Sequence, residues 1–359
     1  MIGQKGVPAL HGGVERHVEE LSTRLVSLGH SVTVFTRPNY TDPFLRSHNG
    51  IDLRSRPAIA SKHFDAISHS LVSTLDACLN DFDVVHYHAI GPCLVAPLAR
   101  VRGRRVVATI HGQDWRRAKW GGIAKSILQL GERSALAVPH ATICVSRTLA
   151  ETYRQQGHAN VRYVPNGVCI ESGEVLDYLA GLGVEPGRYL LFVGRLVPEK
   201  GAHHLIDAWK QAGRPLPLVI AGDTSHSDEY VRQLKADGQG VVFTGYVHGA
   251  PLATLFRHAG LFVLPSELEG LPLVLLEALA HGAPVLASDI APNVEVLGER
   301  GSYFRTGDVA QLAERIGALA KVLDGLKREA VAARDGLIAE YDWDRVATLT
   351  DEIYRSLVA

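Results

Sequence analysis

Apolar positions in this chain fall into short continuous runs, separated by longer amphipathic stretches. The runs are Val32–Thr36, Val84–His88, Val106–Ile110, Thr142–Val145, Tyr189–Val193, Leu218–Ala221, Val241–Thr244, Leu261–Leu264 and Pro284–Ala287. Strands that are apolar throughout are typical of parallel sheets covered by helices on both faces. Because the strand–helix alternation occurs twice, it predicts an α/β fold of two doubly wound, Rossmann-like domains that face a cleft.

Turn-forming residues predict where one domain ends and the next begins. In Pro165-Asn166-Gly167 the proline fixes φ, and asparagine and glycine tolerate positive φ, which suits a hinge or a sharp turn. We therefore predict an N-terminal domain over residues 1–165 and a C-terminal domain over residues 166–340. The last segment, 341–359, has an amphipathic pattern from Trp343 to Leu357, which predicts a closing helix that packs toward the first domain.

The first strand of the N-terminal domain is almost absent, because Met1-Ile2 is followed directly by glycine. Either the edge of that sheet is abbreviated or residues precede Met1, and we expect the latter. A glycine-rich stretch follows, ending at Gly12-Gly13 before a predicted helix at Val14–Leu28. Glycines at a helix start let backbone amides approach an anion closely. Their spacing is not the G-x-G-x-x-G of dinucleotide-binding proteins, which argues against a dehydrogenase.

The strongest chemical signal is the pair Glu269 and Glu277, which follows a predicted strand and a turn at Pro265-Ser266. The segment therefore opens a helix, and two helical turns can bring both carboxylates toward one ligand. Carboxylates accept hydrogen bonds from sugar and ribose hydroxyls, and the free N–H groups of a helix start bind phosphate. The alternative is that acidic residues occupy the first helical turn only because of the helix dipole. We favour the ligand site.

A second signal is a pair of cations after the strand Tyr189–Val193 and a turn at Gly194. Arg195 offers a planar fork for phosphate oxygens, and Lys200 offers a compact point charge. Such a pair can neutralise a diphosphate while it is bound and as it leaves. The less favoured alternative is a solvated loop with two ordinary surface cations.

Net charge is −1, but its distribution is uneven: residues 1–165 contain 20 Lys/Arg and 12 Asp/Glu, whereas the remainder contains 17 and 26. An acidic half repels a nucleotide diphosphate unless it contains a local cationic patch. This favours the interpretation of Arg195 and Lys200 as a diphosphate site. Four scattered cysteines without metal-ligand spacing predict reduced thiols in the cytoplasm. No apolar run reaches the roughly 18–20 residues of a membrane span, and no signal peptide is expected.

Two histidines stand at the ends of predicted strands, where doubly wound sheets bind their ligands. We expect His111 to contact the substrate, and we give His88 the weaker case. His86 and His88 share one strand face, a spacing that metal sites use, but no carboxylate or cysteine clusters beside them. The sequence therefore predicts no metal and no bound cofactor.

A cationic segment, Trp115, Arg116, Arg117 and Lys119, ends at Trp120 in the basic half. Cations beside tryptophans suit an anionic acceptor or a membrane surface, because indole rings settle at the lipid headgroup level. A solvated basic loop with partly buried aromatics explains the same residues at least as well, so both interpretations stay open. No nucleic-acid-binding motif accompanies the positive half, and we expect no nucleic-acid partner.

Together, these segments resemble the retaining glycosyltransferases of family 4, which have the two-domain GT-B fold, over nearly the whole chain. The glutamate pair and the Gly-Arg…Lys-Gly segment are specific in combination, and the other matches are supportive. The matching segments are Gly12–Glu15, Gly29–Val32, His111-Gly112, Val164–Gly167, Gly194-Arg195, Lys200-Gly201, Ala221–Asp223, Phe243–Val247, Glu269–Glu277 and Tyr341–Trp343.

This resemblance implies a role for each matching residue. Glu277 would hold the ribose hydroxyls, Glu269 the transferred sugar, and the backbone at Tyr246-Val247 the base. The implied catalytic residues are His111, Arg195, Lys200 and Glu269. The implied nucleotide-sugar-binding residues are Gly12, Gly13, Gly194, Tyr246, Val247, Gly270, Leu271, Pro272, Leu273 and Glu277. The acceptor or membrane side would be Trp115, Arg116, Arg117 and Lys119.

We therefore expect a hexosyltransferase that uses a nucleotide diphosphate sugar. The acceptor would be the hydroxyl of a saccharide or lipid-linked saccharide, with retention at the anomeric carbon, in polysaccharide or glycolipid assembly. Such an enzyme would contact an anionic membrane peripherally at its inner face. The alternatives are a nucleotide-sugar epimerase or a sugar phosphorylase on the same scaffold, or a non-catalytic scaffold protein. A non-catalytic protein has no use for both glutamates and both cations.

Overall fold

The computed structural model describes residues 1–10, 12–59, 64–117, 120–223 and 228–359. The chain forms two compact units. The N-terminal unit comprises Met1–Gly167 together with Asp342–Ala359, and the C-terminal unit comprises Val168–Tyr341. Each unit contains parallel strands that alternate with helices, so the predicted fold class is confirmed.

The N-terminal unit combines mostly parallel strands with the helices that connect them. Its strands are β1 (Thr33–Thr36), β2 (Ser47–His48), β3 (Ile51–Ser55), β4 (Val84–His88), β5 (Arg105–Ile110), β6 (Ala141–Cys144) and β7 (Val161–Tyr163). Its helices are α1 (Gly13–Ser27), α2 (Asp65–Leu79), α3 (Ala96–Val101), α4 (Gly122–Ala137), α5 (Arg147–Gln155) and the closing α14 (Trp343–Val358).

Residues Met1 and Ile2 stand where the first strand of this unit is expected. The strands form one group in the order β2-β3-β1 and another in the order β4-β5-β6-β7. Ile2 bridges Tyr87 of β4 in parallel, and the amide of Phe35 in β1 donates to the carbonyl of Met1. The two groups are thus joined through Met1 and Ile2.

The C-terminal unit begins with a short helix and ends with two longer ones. Its strands are β8 (Leu190–Val193), β9 (Leu218–Ala221), β10 (Val242–Gly245), β11 (Leu261–Leu264), β12 (Val285–Ser288) and β13 (Ser302–Phe304). Its helices are α6 (Leu176–Gly181), α7 (Ala202–Gln211), α8 (Asp228–Asp237), α9 (Gly249–Arg257), α10 (Leu273–Ala280), α11 (Ala291–Leu297), α12 (Val309–Leu319) and α13 (Leu323–Glu340). The strands form one parallel sheet in the order β10-β9-β8-β11-β12-β13.

Burial explains why these segments are strands. Every residue of β8, β9, β11 and β12 is buried, as expected for a sheet covered on both faces. The sequence pattern missed β3, in which buried Ile51 and Leu53 alternate with more exposed residues, and also the short β2, β7 and β13. Such segments lack the continuous apolar run on which the prediction rested.

The Pro-Asn-Gly segment has a different physical role from the one predicted. Neither Asn166 nor Gly167 has a positive φ. Instead, a Cβ at Gly167 would lie 2.5 Å from ring atoms of Trp343, whose side chain is 1% exposed. Glycine is therefore needed because α14 packs its first aromatic residue against the backbone there. Arg24 of α1 also pairs with Asp344 of α14 at 2.7 Å.

Within the described ranges, no helix combines the length and the apolar character needed to cross a membrane.

Candidate active site

The two cations and the glutamate pair of the C-terminal unit follow neighbouring strands. β8 pairs with β11 at the centre of the sheet, and the chain crosses outward from them in opposite directions. This is the 3-2-1-4-5-6 order of a doubly wound sheet, and its switch point lies between β8 and β11. Ligands of such folds bind outside the carboxyl ends of the strands at this point. Arg195 and Lys200 follow β8, and Glu269 follows β11.

Direct contacts tie together the two loops that follow β8 and β11. The amide of Glu267 donates to the carbonyl of Glu199 at 2.9 Å. Gly201 has a φ of +68°, and a Cβ there would lie 2.3 Å from the carbonyl oxygen of Pro265. Only glycine allows both this backbone conformation and this close approach. The geometry of the loops is therefore fixed by backbone groups as well as by side chains.

An ion pair between predicted catalytic residues links the same loops. The ammonium Nζ of Lys200 lies 2.5 Å from Oε1 of Glu269. The two side chains are 17% and 7% exposed, so their attraction is less screened than that of a surface pair. An ammonium has three donors, and one of them serves Glu269. The structure thus brings these two residues together.

The helix-dipole explanation for Glu269 is wrong. α10 begins at Leu273 after Pro272, and its first turn contains no acidic residue. Glu269 lies in the preceding loop with Gly270 and the buried Leu271. Glu277 lies within α10, five residues into the helix. The sequence predicted that the segment opens a helix with Glu277 about two turns along it; Glu277 does lie in α10, but Glu269 lies in the loop before the helix.

Buried polar residues, which the sequence analysis missed, support this loop. The hydroxyl of Ser288 donates to the carbonyl of Ser266 at 2.5 Å, and the side-chain amide of Asn293 donates to the carbonyl and hydroxyl of Ser288. All three side chains are fully buried. A signal was present in the sequence, since Ser288 ends an apolar strand and Asn293 precedes the apolar positions of α11.

Gly194 follows β8 and Tyr246 follows β10, the two strands that flank β9 in the same sheet. A Cβ at Gly222, after β9, would lie 1.9 Å from the carbonyl oxygen of Gly194, so the backbones are in close contact. Tyr246 and Val247 follow β10, and the Tyr246 side chain is exposed. Burial raises the pKa of the Tyr246 phenol above its usual value; the Asp223 carboxylate adds to this rise and the Arg195 cation opposes it.

In the N-terminal unit, Gly12 and Gly13 form the start of α1. Gly12 precedes the helix with a φ of +106°, and Gly13 is its first residue. Oε1 of Glu15 accepts from the amide of Lys5 at 3.0 Å, which holds the glycine-rich loop against the helix. The exposed helix start is compatible with the anion-binding role expected of it.

Three histidines meet at the ends of β4 and β5 in the same unit. Nδ1 of His88 lies 3.3 Å from Nε2 of His111. The ring of His17 from α1 packs edge-on against His111, with 4.7 Å between centroids, and its Nδ1 lies 2.8 Å from Oδ1 of Asn166. His17 was not predicted. It lies four residues before Leu21 on the apolar face of α1, so a polar residue within that stripe was the available signal.

Burial determines the charge of these imidazoles. It lowers the pKa of His17 to about 4 and the pKa values of His88 and His111 well below 6.5, with neighbouring histidines adding to the effect for the latter two. All three rings are therefore neutral at pH 7. His86 is also buried, between the hydroxyls of Tyr354 and Thr109, which gives it a structural role.

Metal ligation is a second use for such rings. The ligand nitrogens of His17, His88 and His111 lie within 4.8 Å of one another. Nδ1 of His17 and both ring nitrogens of His88 have hydrogen-bond partners, whereas Nε2 of His17 has none among the described residues, and the absence of a metal stays a prediction.

The cationic segment is built partly into the N-terminal unit. The indole Nε1 of Trp115 donates to Glu132 at 3.1 Å, and Arg117 pairs with Asp114 at 2.9 Å. Arg116 is exposed, with its guanidinium 5.2 Å from the Trp115 ring. Lys119 lies outside the described residues. The structure thus assigns Trp115 and Arg117 to local packing and leaves Arg116 open to a partner.

Comparison with known proteins identifies the family to which the chain belongs. The sequence profile described as Glycosyltransferase Family 4 matches residues 11–172, and the profile described as Glycosyl transferases group 1 matches residues 187–321. A phosphatidyl-myo-inositol mannosyltransferase of Mycobacterium leprae is 30% identical over 96% of this chain and 93% of its own length. A glycogen synthase of Mycobacterium tuberculosis is 29% identical over 99% of this chain and 93% of its own length.

A solved structure gives the same fold. The crystal structure of Anabaena Alr3699/HepE in complex with UDP-glucose aligns with a TM-score of 0.81 at 18% identity, covering 98% of each chain. Taken with the profiles and the relatives, this similarity identifies the chain as an enzyme: it belongs to the family-4 glycosyltransferases and has the GT-B fold.

Proposed function

We propose that this glycosyltransferase transfers a hexose from a nucleotide diphosphate sugar to a hydroxyl acceptor, with retention at the anomeric carbon. The single observation that carries the proposal is the Lys200–Glu269 ion pair at the switch point of the C-terminal unit. A cation beside a carboxylate suits a ligand in which a diphosphate adjoins a polyhydroxylated ring. The UDP-glucose bound by the Anabaena protein is such a ligand.

We assign Lys200 and Arg195 to the diphosphate. When the bond between the anomeric carbon and the phosphate oxygen breaks, negative charge develops on the leaving diphosphate. Donors that are already in position stabilise this charge without reorganisation, which is the most effective form of electrostatic catalysis. The Lys200 ammonium, which pairs with Glu269, would also donate to phosphate oxygens. The amides of Gly12 and Gly13 would supply further donors.

We assign Glu269 to the hydroxyls of the transferred sugar and Glu277 to the ribose, with backbone amides from Gly270 to Leu273 nearby. For retention, the acceptor hydroxyl attacks from the side on which the diphosphate departs. The departing phosphate oxygen takes the acceptor proton, so the protein need supply no base. The base of the nucleotide would lie against the backbone at Tyr246 and Val247.

We propose a saccharide or lipid-linked saccharide as the acceptor, with peripheral contact to an anionic membrane. Exposed apolar residues of α4 support the contact, since Ile123, Ile127 and Leu130 are 83%, 48% and 56% exposed. Lys125 on the same helix is also exposed, as is Arg116 before it. An apolar stripe flanked by cations suits an anionic interface.

The membrane proposal is tested by co-sedimentation with vesicles that contain anionic lipid. The wild-type chain should bind at low salt, and binding should weaken when Ile123 and Ile127 are both replaced by serine. No binding of the wild type at low salt would reject the proposal.

Retention is tested by NMR of the transfer product. A retaining enzyme gives the same anomeric configuration in product and donor, and an inverted product would reject the mechanism. An epimerase needs no acceptor, and a phosphorylase releases sugar phosphate, so reactions with and without acceptor separate these alternatives.

A further inference from the structure

A chain of contacts in the N-terminal unit fixes where the histidine protons lie. Sδ of Met1 lies 3.0 Å from Nε2 of His88. A thioether sulfur accepts a hydrogen bond and cannot donate one, so Nε2 of His88 carries the ring proton. Because the buried ring is neutral, its other nitrogen, Nδ1, holds the lone pair.

The hydrogen bond between His88 and His111 fixes the proton of His111 in turn. Nδ1 of His88 lies 3.3 Å from Nε2 of His111. Since the His88 nitrogen can only accept, Nε2 of His111 must donate. The remaining nitrogen of His111, Nδ1, then holds a lone pair, and no described residue hydrogen-bonds to it. The ring is only partly buried, so this acceptor is available to a ligand.

His17 supplies a second unprotonated nitrogen beside it. Its Nδ1 donates to Oδ1 of Asn166 at 2.8 Å, which leaves the lone pair on Nε2. This nitrogen is buried and has no hydrogen-bond partner in the described part of the chain. The rings of His17 and His111 are in contact, with 4.7 Å between centroids.

We propose that His88 is a positioning residue that sets the tautomer of His111, so that Nδ1 of His111 and Nε2 of His17 both accept hydrogen bonds from sugar hydroxyls. Neutral acceptors attract hydroxyl groups and repel phosphate oxygens, which have no proton to donate. The histidines therefore favour a hydroxyl-bearing ligand over a phosphate. The identity of the ligand, but not the tautomer, depends on the proposed function.

The tautomer is measured by ¹⁵N NMR of the full chain labelled at histidine. Protonated and unprotonated ring nitrogens have distinct shifts, and a His111→Asn variant assigns the signals of that ring. We expect His111 to be protonated at Nε2 and unprotonated at Nδ1 at pH 7.5. A proton on Nδ1, or a charged ring, would overturn the proposal without any measurement of activity.

Two variants test the part played by His88. In His88→Asn the amide oxygen can replace Nδ1 as acceptor, so we expect the tautomer and most of the activity to survive. In His88→Leu the acceptor is lost, so we expect mixed tautomers and about a tenfold fall in kcat/KM, the worth of one hydrogen bond. His140→Asn, elsewhere in the unit, is the matched control.

A His88→Leu chain that keeps the wild-type tautomer of His111 would contradict the role of His88. If that variant does not fold, the wild-type and His88→Asn spectra still decide. If the wild type transfers no sugar from any donor, the proposed function fails, while the spectra continue to test the tautomer.

Discussion

Lys200 and Glu269 are 69 residues apart in the chain, yet their charged groups lie 2.5 Å apart after neighbouring strands. This contact follows from the strand order of the doubly wound sheet. Because β8 and β11 are neighbours, the loops that follow them lie at the same edge of the sheet. A carboxylate that is 7% exposed needs such a partner, because an unpaired buried charge is costly.

Replacement of Lys200 by alanine should abolish most of the catalysis. Loss of a group that stabilises the leaving diphosphate costs on the order of 10²–10³-fold in kcat. Steady-state kinetics test this, and circular dichroism tests that the variant folds. Lys210→Ala on α7 is the control, since that lysine pairs only loosely with Asp207 at 4.0 Å. Near-normal turnover in Lys200→Ala would reject the assigned role.

Gly201→Ala should disturb the site more than an equivalent change elsewhere. Gly201 and Gly213 both have positive φ, at +68° and +78°, but only Gly201 has a close neighbour, the carbonyl of Pro265. We expect Gly213→Ala to cost about 1 kcal/mol of unfolding free energy from backbone strain. We expect Gly201→Ala to cost more and to weaken donor binding. Equal losses measured by urea denaturation would show that the loop contact is unimportant.

Gly167→Ala should destabilise the N-terminal unit although its φ is not positive. The added methyl group would collide with Trp343, and overpacking of this kind costs about 1–3 kcal/mol. Gly317→Ala is the matched control, because this glycine lies in α12 with open space around it. Gly317→Ala should raise the free energy of unfolding by up to about 1 kcal/mol. Thermal unfolding measures the melting temperature of both variants. An unchanged melting temperature in Gly167→Ala would contradict the packing of Trp343 against Gly167.

Acid should destabilise the C-terminal unit through His281. Burial, together with nearby Arg257, Lys327 and Arg334, lowers the pKa of His281 to about 4. Between pH 6.5 and 4 the unfolded chain binds a proton that the folded chain does not, so the unfolding free energy falls as the pH falls. From pH 7.5 to pH 5 the loss should be about 2 kcal/mol.

This acid sensitivity is measured by urea denaturation across that pH range. His281→Asn should remove the contribution and so show a shallower dependence than the wild type. The exposed His248→Asn should follow the wild type. Parallel curves for wild type and His281→Asn would contradict the effect.

Long apolar runs made the central strands predictable, and Glu269, Arg195 and Lys200 were recognisable from their positions after such runs. The contact between Lys200 and Glu269 could not be read from spacing alone, because it depends on which strands become neighbours. His17 was missed because one polar residue within the apolar stripe of α1 is a weak signal when it is taken alone. Its role depends on His88 and His111, which are distant in sequence.

Donor binding tests the central claim most directly. Nucleotide sugars carrying UDP, GDP, dTDP and ADP would be titrated calorimetrically into the wild type, Lys200→Ala and Lys210→Ala. We predict that at least one binds the wild type and Lys210→Ala alike and binds Lys200→Ala far more weakly. Failure of every nucleotide sugar to bind at millimolar concentration, or undiminished binding to Lys200→Ala, would contradict the account.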